Sequence, residues 1–276
     1  MSEADAVGSE HYRLTPNPYP LLDRGTAPPI HTPLSIAAAA LKAARHVCVL
    51  TGAGISAESG VPTFRDAQTG LWANYRPEDL ATPEAFTRDP ARVWAWYEWR
   101  RSLVQQAQPN AGHRALVDLA GLVPRLTLVT QNVDSLHQRA GSRGVIEYHG
   151  NLLRDRCSAE GIVRERSPVS VTGLPECAHC GELLRPDVVW FGEAIPRRAL
   201  LEADTAASSC DLFLSVGTAA VVYPAAGLAA RAVRAGARII EVNTEETELS
   251  ALADLALRGP AGSVLPQLVQ RWHSGS

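Results

Sequence analysis

The sequence predicts an α/β protein with a doubly wound parallel sheet and a second, smaller lobe to which two insertions contribute. Three observations support this prediction. Short apolar runs alternate with helical stretches, a glycine-rich turn follows the first run directly, and two segments interrupt the alternation. A chain of 276 residues with a 46% apolar and a 20% charged share has the length and composition of a globular domain.

The apolar runs have the length of buried strands and are bounded by turn-forming residues. They occupy residues 47–50, 126–129, 145–148, 212–216 and 238–242. Such runs, separated by helical stretches, predict parallel strands with helices on both faces, a Rossmann-like arrangement. A helix over residues 35–44 is expected to precede the first strand.

The chain divides into an extension and one domain. We expect a flexible extension over residues 1–34, where proline and polar residues dominate. The domain, 35–276, splits into a large lobe and a small lobe. The large lobe comprises 35–66, 112–150 and 188–276, and the small lobe comprises 67–111 and 151–187. The first insertion is helical in pattern and rich in tryptophan, which we interpret as packing, and the second carries paired cysteines.

Composition excludes several classes of partner. A net charge of -3 gives no reason to expect nucleic acid or a membrane surface as a partner. The apolar run Leu34–Leu41 is too short to span a bilayer, and early acidic residues argue against a signal or transit peptide. Five cysteines do not suggest a disulfide framework. We therefore expect a cytoplasmic protein, for which a monomer is compatible with the sequence.

The turn after the first run carries the first chemical signal. Gly52-Ala53-Gly54-Ile55-Ser56-Ala57 fits a phosphate-binding turn, in which glycines allow the backbone to approach a pyrophosphate. A tight strand-to-helix turn without a ligand is the alternative. An ordinary dehydrogenase would show a second strand ending in an acid about 20 residues later. Residues 70–74 contain neither, so a plain Rossmann oxidoreductase is disfavoured.

Several further motifs resemble the sirtuin family of NAD-dependent protein deacylases. They are GAGISAESGVPTFR at 52–65, TQNVDSLHQRAG at 130–141, His149-Gly150, VVWFGE at 188–193, Gly217-Thr218 and Asn243-Thr244-Glu245. They arrive in the family's order and cover essentially all of residues 35–270. The resemblance implies the two-lobed sirtuin fold, with NAD as cofactor and acylated lysine side chains of proteins as substrate.

The resemblance also implies a role for each matching residue. His149 would be the general base, and Asn132 and Asp134 would complete the catalytic group. The residues lining NAD would be Gly52, Ala53, Gly54, Ser56, Glu58, Phe64, Arg65, Gln131, Asn132, Asp134, Gly217, Thr218, Ala219, Asn243, Thr244, Glu245 and Ala261. Val189, Trp190 and Phe191 would border the acyl-lysine channel, and their backbone would pair with the substrate peptide as an added strand.

The implied reaction explains why these residue types are needed. The acyl-lysine amide oxygen is a weak nucleophile, so the protein must align it with the ribose carbon. Phe64 is suited to keep water out of the site. The ribose hydroxyl that attacks next requires a base such as histidine. The products would be nicotinamide, free lysine and an O-acyl-ADP-ribose.

Two of these residues also have structural interpretations. His149 follows a strand-like run that places Glu147 on the same alternating face, so a structural histidine is an alternative. The neighbouring Gly150 and the upstream QNVD segment favour the catalytic interpretation. Asp134 could also cap a helix, a role compatible with catalysis.

The acyl preference depends on one predicted helix between Pro90 and Gln106. Val93, Tyr97, Arg100 and Val104 share a face that is apolar except for Arg100. Arg100 either pairs with an acidic neighbour or binds a carboxylate of the substrate. Tyr97 and Arg100 resemble the Y-x-x-R pair of desuccinylase-type sirtuins, and Ala81 resembles their small pocket residue. We therefore favour removal of succinyl- or malonyl-type groups.

The second insertion departs from the family pattern. Sirtuins usually hold a structural zinc with two C-x-x-C pairs, in a zinc-ribbon-like lobe. Here Cys177 and Cys180 form one pair, but Cys157 is followed three residues later by Glu160. Glu160 or His179 could supply the fourth ligand, or the site could have lost its metal.

Two rival functions remain open. An NAD-dependent ADP-ribosyltransferase would use the same cofactor with a different acceptor. A non-enzymatic NAD-binding module is the third possibility, although such a module has no need of His149 and Asn132.

Overall fold

A six-stranded parallel sheet forms the centre of the large lobe. The structure, a computed structural model, describes residues 32–62, 74–166 and 173–274. The strands of this sheet are β1 (Val47–Thr51), β2 (Leu126–Thr130), β3 (Ile146–Glu147), β7 (Leu212–Val216), β8 (Arg238–Asn243) and β9 (Leu255–Arg258). Their order is β3-β2-β1-β7-β8-β9, with every pairing parallel. The order reverses between β1 and β7, so the predicted doubly wound sheet is confirmed.

The helices of this lobe cover both faces of the sheet. They are α1 (Pro33–Ala43), α2 (Gly54–Ala57), α6 (Ala111–Leu122), α7 (Leu136–Ala140), α8 (Arg197–Ser209), α9 (Gly227–Arg234) and α10 (Ala261–Ser274). Because strand side chains alternate, Val47 and Val49 pack into one core with α1, α6 and α10. Cys48 and Leu50 pack into the other with α8 and α9. This two-sided burial explains why the strands are apolar throughout.

The smaller lobe combines three helices with a three-stranded antiparallel sheet. The helices are α3 (Pro77–Leu80), α4 (Pro83–Arg88) and α5 (Pro90–Gln106), and the strands are β4 (Gly150–Cys157), β5 (Val163–Glu165) and β6 (Leu184–Val188), in the order β5-β4-β6. One apolar core joins α5 to β4 and β6, and it buries Trp94 and Trp96. The predicted packing role of these two tryptophans is confirmed.

Arg101 ties the two parts of the smaller lobe together. Its side chain is 1% exposed and donates to the Leu152 carbonyl at 2.6 Å and to Asp155 Oδ1 at 2.5 Å. A buried cation needs such partners, so α5 is fixed to β4 by charge as well as by apolar packing.

Several predicted boundaries shift. Helix α1 begins at Pro33, with the Thr32 side chain accepting from the Ser35 N–H, so the predicted extension does not reach residue 34. Residues 1–31 lie outside the described residues. The predicted strand 145–148 is reduced to Ile146–Glu147, and β9 was not predicted. No helix in the described ranges is both long and apolar enough to cross a membrane.

Candidate active site

The carboxyl ends of four neighbouring parallel strands meet at one edge of the large sheet. At this edge the turn after β1 touches the turn after β7. A Cβ atom added to Gly54 would lie 2.7 Å from the Gly217 Cα, and one added to Gly52 would lie 2.8 Å from the Gly217 oxygen. Gly217 itself has a φ of 60°, in the left-handed region. Only glycine fits these positions, and the turns leave backbone exposed to a ligand, as a phosphate-binding turn requires.

Polar side chains link the same turns. Asn132 Nδ2 donates to the Gly52 carbonyl at 3.0 Å, and Gln131 Nε2 donates to Thr218 Oγ1 at 3.0 Å. Asn243 Nδ2 donates to the Thr218 carbonyl at 2.9 Å. The ends of β1, β2, β7 and β8 are therefore joined by three side-chain amides.

A pocket opens at the ends of β7 and β8. It is lined by Gly217, Thr218, Ala219, Val221, Asn243, Thr244, Glu245, Glu246, Thr247 and Glu248. All six predicted cofactor residues of the β7 and β8 turns lie in this set, and the pocket also gathers three carboxylates.

A buried polar network lies beneath the turn after β1. Ser56 Oγ donates to Asp134 Oδ2 at 2.7 Å, and His113 Nε2 lies 3.4 Å from Ser56 Oγ. Burial lowers the pKa of His113 to about 4, so the ring stays neutral. Burial raises the pKa of Asp134, while donors from Leu136 and Ser56 oppose that shift. The Leu136 N–H at the start of α7 donates to Asp134 Oδ1 at 2.9 Å, although the N-cap residue of that helix is Ser135 and not Asp134 as predicted.

His149 lies between the two lobes' sheets, just before β4. Its Nδ1 is 3.0 Å from the Gln131 carbonyl, an oxygen that can only accept, so Nδ1 carries the proton and Nε2 is the basic nitrogen. Burial lowers the pKa of His149, opposed by this hydrogen bond. A neutral imidazole with a fixed tautomer is what a general base requires.

The segment after β6 is held against His149 and α3 by its backbone. The Val189 N–H donates to the His149 carbonyl at 2.9 Å, and the Phe191 N–H donates to the Ala81 carbonyl at 3.0 Å. The Trp190 N–H donates to Glu193 Oε2 at 2.8 Å. Three predicted substrate residues are thus brought together with Ala81. The N–H groups of these three residues all donate within the chain. A substrate peptide that pairs with residues 189–191 as an added strand would therefore have to bond to other backbone groups.

Tyr97 and Trp190 form a buried pair. The Trp190 Nε1–H donates to Tyr97 Oη at 2.9 Å, and both side chains are at most 3% exposed. The Arg185 guanidinium lies 3.4 Å from the centroid of the Trp190 ring, and it also makes a two-pronged pair with Glu193 at 2.5 and 2.8 Å. The indole is therefore fixed by a stacked cation. Sequence reasoning missed Arg185, whose only signal is a charge within a buried strand.

Arg100 lies one turn further along α5 than Tyr97. Its guanidinium is 5.8 Å from the centroid of the Trp96 ring. Burial lowers the pKa of Arg100, and the nearby Tyr97 and Asp134 oppose that shift. Asp134 lies between β2 and α7 of the large lobe, so its effect on the pKa of Arg100 indicates that Arg100 is on the side of the smaller lobe nearest to that segment. Val93, Tyr97 and Val104 are buried as predicted, but the buried arginine of α5 is Arg101, and Arg100 is half-buried.

Glu58, a predicted cofactor residue, contacts the start of α10. The Gly262 N–H, which follows Ala261 at the start of α10, donates to Glu58 Oε2 at 2.6 Å. Glu58 thus caps that helix, as a carboxylate at a helix N-terminus does. Phe64 and Arg65 lie outside the described residues.

Four potential metal ligands converge in the smaller lobe. The ligand atoms of Cys157, Glu160, Cys177 and Cys180 all lie within 4.8 Å of one another. The sulfurs of Cys157 and Cys180 are 3.5 Å apart. His179 points outward, with its side chain 67% exposed and its Nδ1 2.7 Å from Glu160. Glu160, and not His179, is thus grouped with the three cysteines, and three sulfurs with one carboxylate oxygen are ligand types that zinc binds.

The fold and this edge define a doubly wound α/β protein with dinucleotide-type turns and a pocket at the carboxyl ends of its parallel strands. Comparison with known proteins identifies the family to which this chain belongs. A sequence model of the Sir2 family matches residues 52–224. An NAD-dependent protein deacylase of Methylococcus capsulatus is 52% identical over 240 residues, which cover 84% of this chain and 94% of that protein. The chain therefore belongs to the Sir2 family, the sirtuins.

Other relatives agree. NAD-dependent protein deacylase 1 of Pseudomonas aeruginosa is 51% identical over 243 residues, which cover 85% of this chain and 97% of that protein. A solved complex of a Sir2 homologue with NAD has a TM-score of 0.81 at 46% identity, covering 87% of this chain and 94% of its own. A Sir2 structure bound to acetylated peptide has a TM-score of 0.77 at 31% identity, covering 88% of this chain and 98% of its own.

Proposed function

We propose that this protein is an NAD-dependent protein-lysine deacylase that prefers short acidic acyl groups such as succinyl and malonyl. The observation that carries the proposal is the convergence of the glycine turns after β1 and β7 with a neutral, oriented His149. Relatives about 50% identical are NAD-dependent protein deacylases, and related structures hold NAD or an acetylated peptide. When bound, NAD supplies an electrophilic ribose carbon, with nicotinamide as leaving group and O-acyl-ADP-ribose as product.

The residues at the strand ends fit a dinucleotide. Gly52 and Gly54 allow close backbone approach by phosphate oxygens. The 217–219 and 243–245 segments provide the pocket for the adenosine end. Asn132 and Gln131 orient the remaining part of the cofactor, since their amides already bridge the turns. Asp134, held by Ser56, supports Asn132 from below because Asn132 Nδ2 also donates to Ser56 Oγ at 3.1 Å.

His149 is the general base of the proposed reaction. Its Nε2 is unprotonated because Nδ1 donates to Gln131, and the ring is neutral near pH 7 because its pKa is lowered. It can therefore accept a proton from a ribose hydroxyl without first losing its own.

The direction of the Tyr97 hydroxyl proton supports the proposed preference for acidic acyl groups. Indole N–H is a donor only, so Tyr97 Oη accepts from Trp190 and the Tyr97 proton points elsewhere. Among the hydrogen bonds of the described residues, none takes that proton. Burial raises the pKa of Tyr97, opposed by the nearby Arg100, so the phenol stays protonated. A carboxylate beside Arg100 would accept from both groups, whereas an acetyl group offers nothing to bind them.

We also propose that Cys157, Cys177, Cys180 and Glu160 hold a structural zinc ion, given their mutual distances. The smaller lobe would then consist of residues 67–111 and 151–187, as the insertions suggest. Acylated lysine side chains of proteins are the proposed substrates, and a related structure also binds a myristoylated histone peptide.

The specificity constants of one lysine peptide in succinylated and acetylated form test the acyl preference. Losing a charge-assisted contact with Arg100 weakens transition-state binding by about 1.5–3 kcal/mol, so succinyl is expected to be better by roughly ten- to a hundredfold. A preference for acetyl would contradict the acidic-acyl part of the proposal and leave a generic deacylase. ADP-ribosylation of the peptide in place of acyl release would favour the transferase alternative.

A further inference from the structure

Glu241 is a buried carboxylate within the large sheet. It lies on β8 between the apolar residues Ile240 and Val242, and it is 1% exposed. A charge in this position is unfavourable unless donors surround it, so its partners show what it is for. The catalytic chemistry proposed above does not use it, and it does not line the pocket.

The partners of Glu241 come from the segments that follow β8 and end β9. Its carboxylate accepts from Thr247 Oγ1, from Ser250 Oγ at 2.6 Å and from Arg258 Nη1 at 2.7 Å. Burial raises the pKa of Glu241, but the donors Ser250, Thr247 and Arg258 outweigh burial and bring it below the usual value. The carboxylate is therefore ionised and fully engaged.

Arg258 extends this link to the pocket wall. Its Nη1 also donates to the Glu245 carbonyl at 2.8 Å, and its Nη2 donates to Ser250 Oγ at 2.8 Å. Thr247 in turn caps the 3₁₀ turn Glu248–Ala251. Residues 244–248 form one wall of the pocket, so Glu241 and Arg258 fix this wall from beneath.

We propose that the Glu241–Arg258 pair is a positioning device that preforms the pocket for the adenosine end of the dinucleotide. The inference rests on the proposed function only in taking NAD as the ligand. Without the pair, residues 244–248 would have to be ordered at the moment of binding, and affinity would fall by the cost of that ordering. A purely structural pair at the edge of the sheet would affect stability alone.

The test measures the Kd of ADP-ribose by calorimetry, and the melting temperature, for four proteins. These are the wild type, Glu241→Gln, Arg258→Met and the double variant. The matched control is Arg101→Met, which breaks a buried ion pair in the smaller lobe. Each pocket variant is expected to raise Kd about ten- to a hundredfold. The double variant is expected to be no worse than the singles, since the two side chains act together. In steady state, the KM for NAD⁺ rises while kcat and the peptide KM stay near wild type.

The outcomes separate the two claims. Pocket variants that lose melting temperature but keep the wild-type Kd, as expected of Arg101→Met, contradict the positioning role and leave the proposed function intact. A fall in kcat with an unchanged KM also contradicts it. Should Glu241→Gln not fold, Arg258→Met alone decides, because this side chain is 37% exposed. Absence of ADP-ribose binding by the wild type contradicts the proposed function, and with it this inference.

Discussion

At the scale of single residues, one hydrogen bond determines how His149 can act. The Gln131 carbonyl, 3.0 Å from Nδ1, fixes the tautomer and leaves Nε2 as the basic nitrogen. Burial also lowers the pKa of His149 below its ordinary 6.5. Both effects favour a base that is ready at neutral pH.

His149→Ala is expected to lower the deacylation rate by roughly 10²–10⁴-fold, the usual contribution of a general base. ADP-ribose binding, measured by calorimetry, should remain close to wild type. For the wild type, activity requires the neutral ring, so it is present above the pKa and is lost as pH falls through it. Because the pKa is lowered, the acid limb of kcat/KM is expected below pH 6.5. Near-normal turnover by the variant would show that the base is elsewhere.

Arg100 and Arg101 are adjacent residues with different surroundings. Arg101 is 1% exposed and bonded to Asp155 and two backbone carbonyls. Arg100 is half-buried, and Tyr97 and Asp134 are among its electrostatic neighbours. The chain therefore supplies a matched control for the proposed role of Arg100.

Arg100→Met is expected to reduce the specificity constant for succinyl-lysine by roughly ten- to a hundredfold, since it removes a charge-assisted contact. Deacetylation and the melting temperature should change little. Tyr97→Phe should give a smaller loss in the same direction, because it removes one hydroxyl and keeps the ring. Arg101→Met should instead lower the melting temperature. Equal loss of both activities with Arg100→Met would indicate a structural arginine.

At the scale of elements, the turns after β1 and β7 depend on each other's shape. A Cβ added to Gly217 would lie 2.5 Å from the Ile55 nitrogen, in a backbone conformation with a φ of 60°. The atoms nearest to this Cβ all belong to the backbone of Gly54 and Ile55, so no flexible side chain could move aside. Contact between these turns is therefore expected to be intolerant of any side chain.

Gly217→Ala is expected to weaken ADP-ribose binding by at least about tenfold, because the two turns must separate to accept the methyl group. The control is Gly121→Ala on α6, where a Cβ meets nothing within 4 Å. That change should leave binding intact and stabilise the helix by up to about 1 kcal/mol. Calorimetry and thermal melting measure both effects, and unchanged binding by Gly217→Ala would argue against a ligand at this turn.

The cysteine cluster, formed by the end of β4 and the segment before β6, is the second feature at this scale with a separate prediction. Elemental analysis is expected to find about one zinc per chain, and a strong chelator should lower the melting temperature. Glu160→Cys should strengthen zinc binding in competition with a chelating dye, whereas Glu160→Ala should weaken it, because thiolate is the softer ligand. If the purified protein holds no metal and a chelator leaves its melting temperature unchanged, this part of the smaller lobe folds without zinc.

At the scale of the whole molecule, the large lobe was predictable because its strands are buried on both faces. Their apolar runs in β1, β2 and β7 mark them without ambiguity. The antiparallel sheet was not, because β4 and β6 carry charges whose partners lie on other strands, as Arg154 and Arg156 pair with Asp187 at 3.1 and 3.0 Å. Such strands look polar until their partners are known.

The candidate site shows the same division. Motifs within one turn, such as Gly52-Ala53-Gly54, were predictable from their order along the chain. The link from Trp190 to Tyr97 joins residues far apart in sequence, and so does the capping of α10 by Glu58. Glu241 was part of a predicted strand, but its role depends on Thr247, Ser250 and Arg258. Long-range contacts of this kind leave no local pattern in the sequence.

In the proposed reaction, NAD⁺ drives removal of an acyl group from lysine. Mass spectrometry of one succinylated lysine peptide, incubated with the protein in the presence and absence of NAD⁺, tests it most directly. We expect unmodified peptide, nicotinamide and O-succinyl-ADP-ribose in equal amounts, only when NAD⁺ is present. Acyl loss without NAD⁺, an unchanged peptide for every acyl group tried, or attachment of ADP-ribose to the peptide would contradict the claim.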